Sequence, residues 1–190
     1  MARVTHRTTD ELVAALDTLR GSPADHGVVE LIVRRPAVDE RELLDAAELN
    51  SEVGVVGDTW QARGSRHTPD GSAETNRQLT IMNARAIALF AGDDRGRWAE
   101  AGDQLFVDIN LSDANLPPGS RLQLGTAIVE ITEEPHNGCA KFAARVGQDA
   151  ARFVNSPAGK ELHLRGINAR VVQAGVVAKG DAAVKVTPES

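Results

Sequence analysis

Hydrophobic residues recur at spacings of three and four in four parts of the chain, which predicts four amphipathic helices. The predicted helices cover residues 8–21, 39–50, 72–92 and about 139–154. Thr8 and Glu11 have the spacing of a capping box at the start of the first helix. Ser72 or Asn76 is the expected cap of the third helix, and Gly21 is the expected end of the first.

Short runs rich in β-branched residues, several of them alternating with polar residues, predict strands. These runs lie at residues 27–33, 104–111, 121–124, 127–132, 165–175 and 176–186. Turn-forming residues separate several of them, notably Pro117–Gly119 and Lys179–Asp181. Most of the predicted strands follow residue 100, with helices before and between them. This order predicts an α+β fold in which a closed or strongly curved, mostly antiparallel sheet is wrapped by helices, since closure removes exposed strand edges.

The length of 190 residues and the hydrophobic content of 42% allow one core, so we expect one domain over residues 1–190. Within it, residues 1–100 are expected to be helix-rich and residues 102–186 to form the core region. The 21 basic and 27 acidic residues give a net charge of −6, and only 3% of residues are aromatic. Nucleic acid is therefore not an expected partner, because its recognition uses basic surfaces and stacking aromatic rings.

No apolar run is long enough to cross a membrane, and the first ten residues lack the apolar core of a signal peptide. The single cysteine cannot form an internal disulfide, which is consistent with a reducing compartment. We therefore expect a cytoplasmic protein without a membrane partner. The sequence leaves the oligomeric state open.

The candidate chemistry centres on Cys139, which follows a predicted strand and the turn Pro135–Gly138 and lies in the first turn of the fourth predicted helix. Unpaired backbone N–H groups at a helix start, together with the nearby Lys141, favour an anion there. The thiolate is expected to form below the free-cysteine pKa of about 8.5. The alternative is that Cys139 is a small buried hydrophobic residue, as many free cysteines are.

His136 stands three residues before Cys139 and has more than one interpretation. It can donate a proton or increase the thiolate content of Cys139, or it can be an exposed turn residue. The spacing of His136 and Cys139 is also compatible with zinc, with His67 or His163 as further ligands. A cysteine-dependent hydrolase or redox sensor is another alternative.

A polar stretch from Gly57 to Ser72 has little apolar periodicity and many groups able to bind a ligand. Long polar loops of this kind often carry function. Arg66 and His67 are its candidate cofactor-binding residues. The alternative is a surface loop with Trp60 packed beneath it.

Several short elements occur in an order that resembles the MOSC domain, the C-terminal domain of molybdenum cofactor sulfurases. They are Glu130–Thr132, Gly138–Phe142, Gly147, Arg165–Gly166, Arg170–Val172, Gly175 and Gly180–Asp181. The similarity covers about residues 102–186. Further upstream, Arg34–Pro36, Gly57–Trp60 and Asp108–Leu111 are similar to a small stand-alone bacterial branch of the family.

The resemblance implies a β-barrel-like fold and a cysteine that carries sulfur or ligates molybdenum. In this family the domain delivers sulfur for metal–sulfur clusters, and some members hold molybdopterin-bound molybdenum and reduce N-hydroxylated compounds. By position, Cys139 is the matching thiol and metal ligand, with a sulfur donor protein as a partner. The candidate cofactor-binding residues are Asn110, Lys141, Arg165, Asn168 and Arg170, with Arg66 and His67 from the polar loop. A thiolate suits molybdenum, and guanidinium groups suit a pterin phosphate.

Two departures from the family pattern and one missing part are visible in the sequence. Many cofactor-bearing members have proline directly before the cysteine, where this chain has Gly138. Many also have a Gly-Glu-Asn-Leu stretch, where this chain has Asp108–Leu111. Pyridoxal phosphate is not expected, because the fused sulfurases bind it in a separate aminotransferase-like domain for which 190 residues leave no room.

Three hypotheses follow. The protein is a molybdenum cofactor enzyme or sulfur carrier centred on Cys139, a non-catalytic small-ligand binding module of the same fold, or a cysteine-dependent hydrolase or redox sensor. For the first hypothesis we expect Cys139 to be partly exposed at the floor of a pocket. Its expected lining is Asn110, Arg165, Arg170 and part of the polar loop.

Overall fold

The computed structural model describes residues 6–187. Residues 1–5 and 188–190 lie outside this range. The expectation that the chain has no signal peptide rests on the first ten residues, so it lies partly outside the described residues. The strands are β1 (His26–Arg34), β2 (Glu42–Leu44), β3 (Ala46–Asn50), β4 (Gly54–Val55), β5 (Leu79–Asn83), β6 (Leu105–Asp108), β7 (Arg121–Leu124), β8 (Ala127–Ile131), β9 (Ile167–Gln173), β10 (Gly175–Ala178) and β11 (Ala182–Val186). The helices are α1 (Thr9–Ala14), α2 (Leu16–Arg20), α3 (Trp60–Arg63), α4 (Ala84–Ala91), α5 (Arg95–Ala99), α6 (Ala140–Val146), α7 (Gln148–Val154) and α8 (Pro157–Glu161).

Seven strands close into a barrel in the order β1, β6, β5, β9, β8, β7 and β11, with β11 returning to β1. The β5–β6 pair is parallel, whereas the other neighbours in the barrel are antiparallel. The nine-residue β1 closes the barrel because it pairs with β6 and also with β11, while its last residues pair with β2 outside the barrel. A closed sheet has no free edge along its length, and the predicted α+β fold with a closed, mostly antiparallel sheet is confirmed.

A second, three-stranded sheet in the order β10, β3, β4 lies beside the barrel. β10 follows β9 after one residue, and it pairs with β3 rather than continuing the barrel. Along the barrel strands, apolar side chains that point into the barrel alternate with side chains that point away from it. In β8, Ala127, Val129 and Ile131 are buried, and in β7, Leu122 and Leu124 are buried while their neighbours are exposed. Burying each of the valine, leucine and isoleucine side chains contributes about 1.5–3 kcal/mol to stability.

A separate aromatic cluster holds the helices against one side of the barrel. Phe90 of α4 contacts Phe142 of α6 and Phe153 of α7 edge to face, with ring centroids 6.2 and 6.4 Å apart. All three rings are nearly fully buried. Edge-to-face pairs add about 0.5–1.5 kcal/mol each to the burial itself. These contacts fix the positions of α6 and α7, and therefore the position of the cysteine that precedes α6.

The predicted helix over residues 39–50 is wrong, because this segment forms β2 and β3. In β3, Ala47 and Leu49 are buried while Ala46 and Glu48 are exposed, which is the two-residue period of a strand. Leu49 lies opposite Gly175 of β10 in the sheet register. Leucine and alanine favour helices in isolation, and pairing with a strand far away in sequence overrides that preference.

The predicted helix over residues 72–92 is correct only in its second half. Leu79–Asn83 is the buried strand β5, and the helix α4 starts after it with Asn83 as its cap. The Asn83 side chain accepts a hydrogen bond from the Ala86 N–H at 3.1 Å. The expected cap at Ser72 or Asn76 is therefore wrong. Apolar spacings of three and four fit a strand followed by a helix as well as one helix.

The other predicted helices and strands are confirmed, with differences in their bounds. The capping box of Thr8 and Glu11 is present, and the helix after it is divided into α1 and α2 at Ala15. The helix over residues 139–154 is divided at Gly147, whose φ of 103° no continuous helix accommodates. The predicted strands form, although the strand over 104–111 is shorter. The expectation that residues 1–100 are helix-rich is incomplete, because β1–β5 also lie there.

Gly27 in β1 tests the packing of β1 against β6, because the backbone at the end of β6 approaches it closely. A methyl group at this position would lie 2.8 Å from Cβ of Ile109 and closer still to the Asp108 carbonyl oxygen. We expect Gly27→Ala to lower the free energy of unfolding by about 1–3 kcal/mol, as other overpacking substitutions do. Gly21→Ala is the matched control, since its φ of −74° suits alanine and its nearest contacts are 3.4 Å away. Urea unfolding that shows equal effects of the two substitutions would contradict the close packing of Gly27 against the end of β6.

Candidate functional site

Cys139 is the N-cap residue of α6, with extended backbone angles of φ −109° and ψ 176°. The segment 132–138, which connects β8 to α6, has no regular secondary structure. The cysteine is exposed, so the alternative of a buried hydrophobic residue is wrong. The first backbone N–H groups of a helix have no partner within the helix, and here those of Lys141 and Phe142 face the sulfur.

The pKa of the Cys139 thiol lies below its ordinary value. Partial burial acts to raise the pKa, but the nearby Phe142 and Lys141 backbone N–H groups and the charge of Arg165 lower it and outweigh that effect. The sequence assigned this effect partly to the Lys141 ammonium group. The structure instead assigns it to the Lys141 backbone and to Arg165, because the Lys141 side chain lines a different cleft.

The thiol lies in an open groove of about 510 Å³ between α6 and α7. The lining residues are Gly138, Cys139, Ala140, Ala143, Gln148, Ala151, Arg152 and Asn155. Small side chains on both helices leave the sulfur accessible. Gln148, Arg152 and Asn155 are the polar groups available to a molecule bound there.

Asn155 holds Gly138, the residue before the cysteine, in place through hydrogen bonds. The sequence did not identify Asn155 as a site residue. Its side chain accepts a hydrogen bond from the Gly138 N–H at 3.1 Å and donates one to the Gly138 carbonyl oxygen at 3.0 Å. Gly138 is required for this contact, since a methyl group there would lie 2.7 Å from Val154 Cγ2. Gly138 occupies the position at which many family members are expected to have proline, and the packing here leaves no room for a Cβ atom. No local signal marks Asn155, because its partner lies 17 residues away.

Arg165 is buried beneath this segment rather than exposed to a ligand. It donates from Nη1 to Asp103 Oδ2 at 2.7 Å and from Nη2 to the Ala101 carbonyl oxygen at 3.2 Å. Its guanidinium group also lies 4.6 Å from the centroid of the Phe142 ring. Both partners of the ion pair are almost completely inaccessible to solvent. Arg165 therefore supports the first turn of α6 from below.

His136 lies next to this ion pair, with its Nδ1 3.6 Å from Asp103 Oδ1. Burial lowers the pKa of His136 well below its ordinary value, and the charges of Arg165, Arg77 and Arg35 act in the same direction. Complete burial raises the pKa of Asp103, against the opposing charges of Arg165 and Arg35. Within residues 6–187, neither His136 Nδ1 nor Asp103 Oδ1 has a hydrogen-bond partner. His136 is therefore neutral at physiological pH.

His136 and Cys139 line different cavities. His136, His163, Asp113 and Pro135 are shared by two adjoining cavities of about 390 and 220 Å³. His163 Nε2 lies 2.8 Å from Asp113 Oδ1. Over the described part of the chain, no three His, Cys, Asp or Glu side chains form a group that could hold a metal ion. This arrangement gives no support to the zinc hypothesis or to a Cys139–His136 catalytic pair.

Three other candidate residues hold backbone segments in place. Asn168 is buried and donates to the carbonyl oxygens of Glu134 and Pro135, at 3.0 and 3.4 Å, so it holds the segment before Cys139. Asn110 Oδ1 accepts from the Ser112 N–H at 3.0 Å and shapes the turn after β6. Arg170 pairs across β8 and β9 with Glu130 at 2.6 Å. Asn110 and Arg170 do not line the Cys139 groove.

The polar loop over residues 57–72 contains α3, with Trp60 buried beneath it. Arg66 and His67 are exposed and do not line the Cys139 groove. The Gly57–Trp60 element has a structural partner in Arg35, which donates from Nε and Nη2 to the two carboxylate oxygens of Asp58 at 2.9 and 2.8 Å. The expected pocket of Asn110, Arg165, Arg170 and the loop around Cys139 is wrong, although the thiol is exposed as expected.

The chain belongs to the MOSC domain family. The family model for the MOSC domain matches residues 73–184, which is more than half of the chain. None of the curated proteins searched matches it.

Solved structures show the same fold at low sequence identity. The YuaD protein from Bacillus subtilis has a TM-score of 0.59 and 17% identity, covering 86% of this chain and 97% of that one. YiiM from Escherichia coli has a TM-score of 0.54 and 17% identity, covering 86% and 71%. YiiM from Geobacillus stearothermophilus has a TM-score of 0.51 and 14% identity, covering 85% and 73%. At this identity the likeness extends to the fold alone.

Every helix between residues 6 and 187 is too short or too polar to cross a bilayer.

The lowered pKa of His136 predicts a pH dependence of stability. The unfolded chain binds a proton on this histidine below about pH 6.5, whereas the folded protein does not, so stability falls as the pH decreases through that value. The loss is at most about 1.4 kcal/mol per pH unit. We expect His136→Gln to reduce this loss, measured by urea unfolding at about pH 7.5 and about pH 5.5.

His67→Gln is the control for this experiment, because His67 is exposed. It should leave the pH dependence as it is in the wild-type protein. Equal pH dependence of wild type and His136→Gln would show that His136 is not held in its neutral form.

The clamp between Asn155 and Gly138 gives a second prediction. Asn155→Ala removes two hydrogen bonds and should lower the free energy of unfolding by about 1–3 kcal/mol. It should also change the alkylation rate of Cys139, because Gly138 is the preceding residue. Asn137→Ala is the control, since that exposed side chain makes no hydrogen bond within residues 6–187. The role of Asn155 is contradicted if both variants alkylate and unfold like the wild-type protein.

Proposed function

We propose that the protein acts through the Cys139 thiolate, which ligates the molybdenum of a molybdenum cofactor. The observation that supports this is an accessible thiol whose pKa is lowered by two backbone N–H groups and by Arg165. A thiolate is a soft ligand of the kind that molybdenum accepts. Membership of the MOSC domain family connects that thiol with molybdenum cofactor chemistry.

The residues around the thiol are compatible with such a cofactor. The groove of about 510 Å³ has the size of an ordinary small-molecule site. In this proposal Cys139 holds the metal, while Gln148, Arg152 and Asn155 offer hydrogen bonds to the organic part. Asn168 and Arg165 act indirectly, by holding the segment that carries the thiol. The bound cofactor would supply two-electron chemistry, such as the reduction of N-hydroxylated compounds by an external electron donor.

Sulfur transfer is a second candidate function, and the openness of the groove favours it. A thiolate at an exposed helix start is accessible to another protein as well as to a small molecule. In this reaction the Cys139 thiolate attacks the outer sulfur of a donor protein's persulfide. The S–S bond of the donor breaks, a Cys139 persulfide forms, and the donor leaves as a thiol. No net oxidation or reduction occurs.

The first experiment measures thiolate formation through the pH dependence of iodoacetamide labelling. We expect an apparent pKa below the free-cysteine value of about 8.5. Lys141→Ala is the matched control and should leave this pKa unchanged, because it keeps the backbone N–H and the Lys141 side chain lies outside the groove. An apparent pKa at or above about 8.5 would show that the N–H groups and Arg165 do not activate the thiol.

The second experiment identifies what the thiol binds. Protein from a molybdate-supplied host should contain molybdenum, and Cys139→Ser should lose it while keeping the fold, since serine has nearly the same volume. Incubation with a persulfide donor distinguishes the second candidate, because wild-type protein would then gain the mass of one sulfur atom. Wild-type protein that takes up neither molybdenum nor sulfur would favour the non-catalytic binding module.

A further inference from the structure

Five cationic side chains converge on a cleft of about 230 Å³, and neither Cys139 nor His136 is among the residues that line it. They are Arg35, Arg41, Arg63, Lys141 and Arg145. They come from segments far apart in sequence, namely the end of β1, the segment before β2, α3 and α6. The chain as a whole carries a net charge of −6. A concentration of positive charge in an acidic protein therefore marks this cleft as distinct from the rest of the surface.

The carboxylates near the cleft do not neutralise it. Arg35 is paired with Asp58 at 2.8 Å, and Arg145 lies 3.7 Å from Asp39 and 3.8 Å from Glu100. Within residues 6–187, no carboxylate oxygen lies within ion-pair distance of the other three cations. Five cations face three carboxylates, which leaves an excess of two positive charges.

The crowding of these cations also affects the pKa values of two of them. Burial lowers the pKa of Arg41, and the charges of Arg145 and Arg35 lower it further. Burial also lowers the pKa of Arg63, with the charge of Arg35 acting in the same direction. Arg41 Nε is buried and has no hydrogen-bond partner among the described residues. An anion in the cleft would relieve this repulsion and provide the missing acceptor.

We propose that this cleft binds a phosphate-type dianion, either free phosphate or the phosphate group of a larger molecule. Guanidinium groups match phosphate oxygens through paired hydrogen bonds, and lysine adds a mobile point charge. A dianion balances the excess of two positive charges. The cleft is smaller than most sites for whole drug-sized ligands, which fits the binding of one charged group.

The cleft is separate from the Cys139 groove. The two share the helix α6 but no lining residue, because Ala140 and Ala143 face the groove while Lys141 and Arg145 face the cleft. Anion binding is therefore expected to be independent of the thiol. The proposal goes beyond the function assigned to Cys139, and the two can fail separately.

The test is isothermal titration of the wild-type protein with inorganic phosphate in a low-chloride buffer. We expect saturable binding that weakens as salt is added. Arg41→Gln and Arg63→Gln should each weaken it about tenfold, as the loss of a charge-assisted hydrogen bond does. Arg20→Gln is the matched control, because Arg20 is exposed on α2 and lies outside the cleft. Circular dichroism verifies that each variant is folded.

Two further measurements test whether phosphate binding depends on the thiol and identify the source of the phosphate. Cys139→Ser should bind phosphate like the wild-type protein. Arg63→Gln is also produced in a molybdate-supplied host and analysed for molybdenum. Loss of molybdenum would identify the dianion as the phosphate of the cofactor. Retained molybdenum would identify it as a separate phosphate. The proposal is overturned if wild-type protein shows no saturable binding up to about 10 mM phosphate. It is also overturned if Arg41→Gln and Arg63→Gln bind phosphate as strongly as Arg20→Gln does.

Discussion

The buried ion pair between Arg165 and Asp103 is the interaction on which the candidate site depends. It joins the start of β9 to the segment before β6, and it lies under both His136 and the Phe142 ring. Two charges are costly to bury, and removing one partner typically destabilises a protein by about 3–5 kcal/mol. The pair is therefore an obligatory part of this structure. Its positive member also lowers the pKa of Cys139, so one contact serves both the fold and the chemistry.

The surroundings of α6 divide into three regions with different chemistry. The thiol occupies an open groove of small residues, His136 faces a separate cavity, and the cations gather in a cleft on another side of the helix. The segment before the helix is held by Asn155 and Asn168 through backbone hydrogen bonds. A fixed backbone allows an exposed cysteine to keep a constant environment. The same fixation keeps His136 away from the thiol groove.

Residues that carry the family resemblance have structural roles as often as chemical ones. Arg35 and Asp58 belong to two separate sequence elements, and in the structure they form one nearly buried ion pair. Arg165 and Arg170, which the resemblance suggested for a pterin phosphate, are both paired with carboxylates. Among the cleft's cations, those with no carboxylate within ion-pair distance in the described part of the chain are Arg41, Arg63 and Lys141. Of these, only Lys141 was a candidate from the sequence, and there it was assigned to a different role.

The sequence by itself determined the barrel strands of the second half, the capping box at Thr8 and the cysteine at a helix start, because each rests on local spacing. It failed at residues 39–50, where pairing with β10 overrides helix preference, and at Leu79, where apolar spacing fits both strand and helix. Only the tertiary structure decided which polar side chains surround the thiol. Asn155 contacts Gly138 across 17 residues, and Arg165 contacts Asp103 across 62 residues. Local sequence patterns do not predict contacts over such separations.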